Sequence, residues 1–92
     1  MPLSAEDVAT LGERPHWAVL NERATFGPVD VGWHAVVNRL QQPTRHSRYH
    51  IAVVDRTGAI RYTREAATVV EAARTAEREV AARNALRLVR RL

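Results

Sequence analysis

The 92 residues are 46% hydrophobic and 26% charged and contain no cysteine, which fits one small packed core and excludes full disorder, a fibrous repeat, a disulfide framework and thiolate chemistry. Fourteen basic residues against ten acidic ones give a net charge of +4, an attraction toward nucleic acid or acidic protein surfaces. Every one of those basic residues is arginine; the accompanying richness in Ala and Val points to compositional drift, so the arginines carry weight only where the fold gathers them on one surface.

Glu6 and Asp7 stand where a secretory signal needs basic residues, and no apolar run approaches the roughly 20 residues of a membrane span. The expectation is a soluble cytoplasmic protein with no membrane partner. Ser4 as a cap, Asp7 three residues on, and Leu3 placed to staple against Val8 predict a short helix over 4–12, stopped at Gly12. After Pro15, His16 to Arg23 has strand-like Trp, Val and Leu content and reads as one strand, with Phe26, Gly27 and Pro28 as punctuation.

Val29, Val31, Trp33, Ala35 and Val37 then share one parity while Asp30, Gly32, His34 and Asn38 share the other, the pattern of a half-buried strand. Gln41 to Ser47 is polar and contains Pro43, a loop. Arg48 to Val54 alternates Tyr49, Ile51 and Val53 against Arg48, His50 and Ala52, and Asp55-Arg56-Thr57-Gly58 supplies a turn into a returning strand, Ala59 to Tyr62. A four-residue loop opposes Val53 to Ile60 and Ile51 to Tyr62, which puts all four on one face.

Thr63 can cap a long helix over 64–91, with Glu65 in its first turn. Its apolar stripe is Ala66, Val69, Val70, Ala73, Ala76, Val80 and Ala81; Asn84 falls in the middle of that stripe, so the helix bends there or meets a different partner. The order α-β-β-β-β-α defines a single α+β domain over 1–92. It comprises a short N-terminal helix, a three- to four-stranded antiparallel sheet over 16–63, and a long C-terminal helix packed on one sheet face.

Few residues suggest chemistry. His46 and His50 have helical ligand spacing in a segment that is not helical, and no further ligand stands near, so no metal site is expected. Ser4 is occupied as a cap and Ser47 lies in a polar loop, so no nucleophile with a base is visible; His34 with Asp30 or Asp55 is the one acid/base pair the strands could assemble. The glycines are scattered, which excludes a phosphate-binding loop or dinucleotide fingerprint. The protein is therefore read as a non-enzyme without cofactors.

What remains is surface. Parity sends Arg48, His50 and Arg61 to the sheet face away from Ile51 and Val53, and Arg45, Arg56 and Arg64 extend them into a basic patch suited to phosphates, with Asp55 the one acid between Arg39 and Arg64. In general architecture, though in no motif, this resembles the small sheet-plus-helix DNA-binding modules of some recombinases. A nucleic-acid-binding or regulatory domain is the first reading, with the phosphate backbone as partner. The second is a protein-interaction module, an inhibitor, adaptor or homodimeric subunit, meeting an acidic or nucleic-acid-handling protein through Trp17 or through Leu86, Val89 and Leu92 on the C-terminal helix.

Overall fold

A computed structural model of the chain describes residues 2–20, 23–28 and 32–91, with side chains as far as residue 85. The order is α1 (Ala5–Gly12), β1 (Trp17–Leu20), β2 (Arg23–Phe26), β3 (His34–Arg39), β4 (Tyr49–Val54), β5 (Ile60–Ala66) and α2 (Val69–Arg91). The five strands form one antiparallel meander in sequence order, and both helices lie on the same face of it. The α+β architecture is the expected one, with five strands rather than three or four.

The first helix starts as its sequence dictates. Ser4 Oγ accepts the Asp7 N–H at 3.2 Å, and the Asp7 carboxylate accepts the Ser4 N–H at 3.2 Å, so two orphan donors of the first turn are satisfied reciprocally. Leu3 and Leu11 are buried, and Val8 packs against the same core. This burial fixes a helix of eight residues that would be marginal alone.

The segment expected as one strand over 16–23 is two strands. β1 and β2 pair from Trp17↔Phe26 to Leu20↔Arg23, each only four residues long, so neither is long enough to show a period. β2 continues onto β3 (Thr25↔Val36, Phe26↔Ala35), and β3 onto β4 (Val36↔Ala52, Asn38↔His50). Val29 and Val31 of the expected third strand lie outside the described residues, and β3 opens at His34.

The β4–β5 register differs from the expected one. Val53 opposes Tyr62 and Ile51 opposes Arg64, with a shift at Val53/Val54 that sets Val54 opposite Ile60. A slip of two residues preserves parity, so Tyr62 still joins Ile51 and Val53 on the helix face. The irregularity moves Ile60 out of the core to 62% exposure. Asp55 organises the turn: its Oδ1 accepts the Thr57 N–H and hydroxyl and the Ala59 N–H, and Gly58 takes a φ of +89°.

The last helix begins later than Thr63 suggests. β5 runs through Ala66 because that strand is paired to Tyr49 at its end, and Thr68 is the cap, its hydroxyl accepting the Glu71 N–H at 3.1 Å. Ala72, Ala73, Ala76 and Val80 are the buried stripe of α2; Ala66 belongs to β5, while Val70 and Ala81 are exposed. Small side chains let the helix approach Ala35, Val37, Ile51 and Val53 closely. Gly27 shows how close. At φ +101°, a Cβ there would sit 3.0 Å from the Trp33 carbonyl oxygen and 3.0 Å from Val80 Cγ1.

Asn84 meets a partner of its own inside the apolar stripe. Its Oδ1 accepts the Trp33 N–H at 3.1 Å and its Nδ2 donates to the Trp33 carbonyl at 3.3 Å. The amide thus closes the backbone of the residue that leads into β3, which lies outside the strand pairings of the described residues.

Candidate nucleic-acid interface

With both helices on one side, the other side of the sheet is open, and the register states which residues it carries. One row crosses all five strands: Ala18, Thr25, Val36, Ala52 and Thr63. These side chains are short and uncharged, and Ala52 is buried. The next row holds Asn38, His50 and Glu65 as cross-strand neighbours. Carrying the β2–β3 register one residue beyond Ala24↔Val37 sets Arg23 beside Asn38. Arg48 follows on the same parity as His50; its backbone donates to the Ala66 carbonyl and accepts from the Leu40 N–H, which extends the ladder past Tyr49.

Carboxylates determine which arginines are available. On the helix-covered side Arg14 grips Glu77 through Nε and Nη2, both at 2.8 Å, and the Trp17 indole N–H donates to the same carboxylate at 2.7 Å. Hydrogen bonding from Arg14 holds the Glu77 carboxyl below its ordinary pKa, against the opposing effect of burial. Arg39 donates to Asp7 at 2.7 Å, and the Tyr49 hydroxyl donates to the other Asp7 oxygen at 2.7 Å. Burial pushes the Asp7 pKa up most strongly, but the hydrogen bonds from Arg39, Tyr49 and Ser4 together outweigh it and the net shift is down.

Arg61 reaches Asp55 at 3.3 Å. The Thr57 hydroxyl, more than Arg61, brings the Asp55 carboxyl down to about 2. Arg64 and Arg83 share Glu79 at 4.0 and 3.3 Å and flank the Tyr62 ring at 4.8 and 4.7 Å. The Tyr62 hydroxyl also donates to Glu79 at 3.1 Å. By contrast, among the described residues the side chains of Arg23, Arg45, Arg48 and Arg56, and those of Arg74 and Arg78 on the exposed side of α2, make no ion pair with a carboxylate.

The expected patch is therefore divided. Arg45 and Arg48 line one hollow of about 390 Å³ at the β3–β4 loop, together with Leu40, Gln41, Pro43, Thr44 and the Asp7-bound Arg39. His50 lies on the open face two residues from Arg48. Arg56 stands in the β4–β5 turn at the opposite end of the strands, and Arg61 at that end is tied to Asp55. Arg64 does not belong to the patch at all: opposite Ile51, it is on the helix face with Glu79 and Tyr62. Glu65, expected inside the helix, is instead the cross-strand neighbour of His50, which removes the all-arginine surroundings expected for that histidine.

Arg23 was not among the expected residues, because a single strand over 16–23 hides which face it takes. Its signal is the second, short strand: Arg23, Thr25 and Phe26 cannot be placed until β1 and β2 are separated. The interface residues of the alternative reading fare differently. Trp17 is half-buried, tilted against Phe26 with centroids 5.4 Å apart and tied to Glu77, so it is part of the fold. The side chains of Leu86 and Val89, and all of Leu92, lie outside the described residues.

Among the described residues His34 has no acid/base partner in Asp55. Asp30 lies outside the described residues, and the Asp55 carboxylate is engaged by Thr57, Ala59 and Arg61. His34 is buried beside Val54, and its Nδ1 has no hydrogen-bond partner among the described residues. No group of three or more metal-ligating side chains is found among the described residues, and none of the described helices is long and apolar enough to cross a membrane. No family model, no curated protein and no solved structure matches the chain.

Proposed function

We propose that this protein is a small non-enzymatic domain that binds the phosphate backbone of nucleic acid through one end of its open sheet face. The observation that carries the proposal is the sorting of arginines. Arg14, Arg39, Arg64 and Arg83 are held by Glu77, Asp7 and Glu79, whereas Arg23, Arg45 and Arg48 stand toward the β3–β4 end of the uncovered face with no acidic partner among the described residues; Arg74 and Arg78, exposed on α2 and also without an ion pair, form a separate cationic surface on the outer side of the helix. Guanidinium groups free of intramolecular carboxylates keep their planar donor fork for phosphate oxygens. Asn38 and His50 add neutral hydrogen-bonding groups between them. A binding role rather than catalysis is supported by how the reactive side chains are used: Ser4 caps α1, and Asp7 and Asp55 are enclosed by their own partners.

The test is fluorescence anisotropy with labelled nucleic acid across a salt series. Each phosphate contact contributes about 0.9 to the slope of log affinity against log salt on a duplex. The double variant Arg45→Ala/Arg48→Ala should therefore lower that slope by about 2 and weaken binding at low salt by at least tenfold. Arg64→Ala should leave both unchanged, because that guanidinium faces α2. A double variant that binds like the parent, or an Arg64→Ala loss of equal size, refutes the assignment; absence of binding by the parent at low salt redirects the search to an acidic protein surface.

A further inference from the structure

The chemistry of the open face also distinguishes among nucleic acids, and this step rests on the reading just given. We infer that the ligand is a duplex, gripped across its backbone without reading its bases. Proteins that hold single strands through a sheet do so by stacking bases on exposed aromatic rings. Here every Phe, Tyr and Trp faces the helices: Tyr49 is in the core, and Trp17, Phe26, Trp33 and Tyr62 pack against it; the one ring on the described strands of the open face is the His50 imidazole, with Glu65 as its cross-strand neighbour. The row crossing the open face is instead Ala18, Thr25, Val36, Ala52 and Thr63, none of which offers a ring to a base.

The dimensions restrict base readout in a duplex as well. Five strands at about 4.8 Å spacing set the edge strands about 19 Å apart, against a major groove about 12 Å wide, so the sheet cannot enter the groove as a two-stranded ribbon does. Unpaired cations stand at both ends of the face, Arg45 and Arg48 at one and Arg56 at the other. The six steps from Arg48 to Val54 at the end of β4 span about 20 Å of extended chain, and Arg56 lies beyond them in the turn, so the two ends stand more than a groove width apart. The uncharged row between them lets a rod-shaped polyanion lie close without burying a charge, and the cations meet backbone on either side. A duplex presents one negative charge per roughly 1.7 Å of axis, the density such widely spaced arginines require.

The experiment measures the intact protein against a labelled mixed-sequence oligodeoxynucleotide and against the same strand annealed to its complement, at matched salt, with Arg45→Ala/Arg48→Ala in parallel. The expected result is duplex binding at least tenfold tighter than single-strand binding, indifferent to base sequence, with a salt slope of about 3.6 for contacts by Arg23, Arg45, Arg48 and Arg56. If the single strand binds as tightly or more tightly while the double variant still weakens it, the duplex inference is overturned and phosphate binding by this face stands. If a scrambled duplex of equal length binds tenfold more weakly than the first, backbone-only recognition is overturned. If neither form binds at low salt, the underlying proposal falls and the inference falls with it.

Discussion

Replacing Asp7 should be among the most damaging single changes in the chain. Its side chain is 5% exposed, and it accepts hydrogen bonds from the Ser4 N–H, the Arg39 guanidinium and the Tyr49 hydroxyl. Ser4 stays as the N-cap, so losing the acceptor of its N–H costs only part of the roughly 1 kcal/mol that a cap is worth. Leaving a buried tyrosine hydroxyl without its charged acceptor costs about 1.5–3 kcal/mol. Arg39 adds little, because its side chain is 40% exposed and regains water when the carboxylate goes.

Asp7→Ala should therefore lose about 3 kcal/mol, a Tm fall of about 12–24 °C for a domain of this size, measured by thermal and urea denaturation followed by circular dichroism. Because the folded pKa lies below the ordinary value of 3.8, the contribution of Asp7 is present above that pH and is lost as pH falls through the folded value. Asp7→Asn, which cannot ionise, should show a shallower loss of stability than the parent below pH 3.8. An Asp7→Ala loss under about 1 kcal/mol, or parallel acid profiles for the parent and Asp7→Asn, would refute this account of the N-terminal helix.

The same reasoning extends to other residues. Glu77→Ala frees both Arg14 and the Trp17 indole, in a part-exposed setting, and should cost about 1–2 kcal/mol with a red-shifted tryptophan emission; unchanged emission and stability would contradict the tie between α2 and β1. Asn84→Leu restores an unbroken apolar stripe, yet it should destabilise by about 1–3 kcal/mol because the N–H and carbonyl of Trp33 lose their partners; a gain in denaturant midpoint would contradict the bridging role. Glu65→Gln removes the acid beside His50 and should tighten duplex binding severalfold at low salt with no change in Tm. An unchanged or weakened affinity in the anisotropy assay would place the ligand elsewhere.

Much of the fold is legible in the residues wherever a period has room to repeat. β4 and its turn follow from Tyr49, Ile51 and Val53 alternating with polar neighbours and from Asp55 and Gly58, and α1 follows from Ser4 and Asp7. The β1–β2 hairpin is not legible, since four-residue strands carry barely two positions per face. The start of α2 is misplaced by the cap signal at Thr63, and strand pairing corrects it. Thr63 with Glu65 resembles a cap, while Thr68-Val69-Val70-Glu71 carries the Thr-x-x-Glu pattern, and pairing of β5 to β4 as far as Ala66 decides for the second.

That single boundary controls how much of the site is legible. With the helix beginning at Arg64, Arg64 joins the patch and Glu65 is a helix residue; with a strand there, Arg64 turns to α2 and Glu65 enters the open face. The pairing of arginines with particular carboxylates lies beyond sequence reading, because Arg14–Glu77 and Arg39–Asp7 join residues distant along the chain.

The most direct test of the central claim, that the uncovered sheet face is the binding surface, is backbone amide mapping by two-dimensional NMR during titration with a duplex. The account predicts that shifts concentrate on Arg23, Thr25, Val36, Asn38, Arg45, Arg48 and His50, while amides of α1 and of Ala72, Ala73 and Ala76 stay in place. Shifts concentrated on the helices, with the sheet residues unmoved, would contradict it.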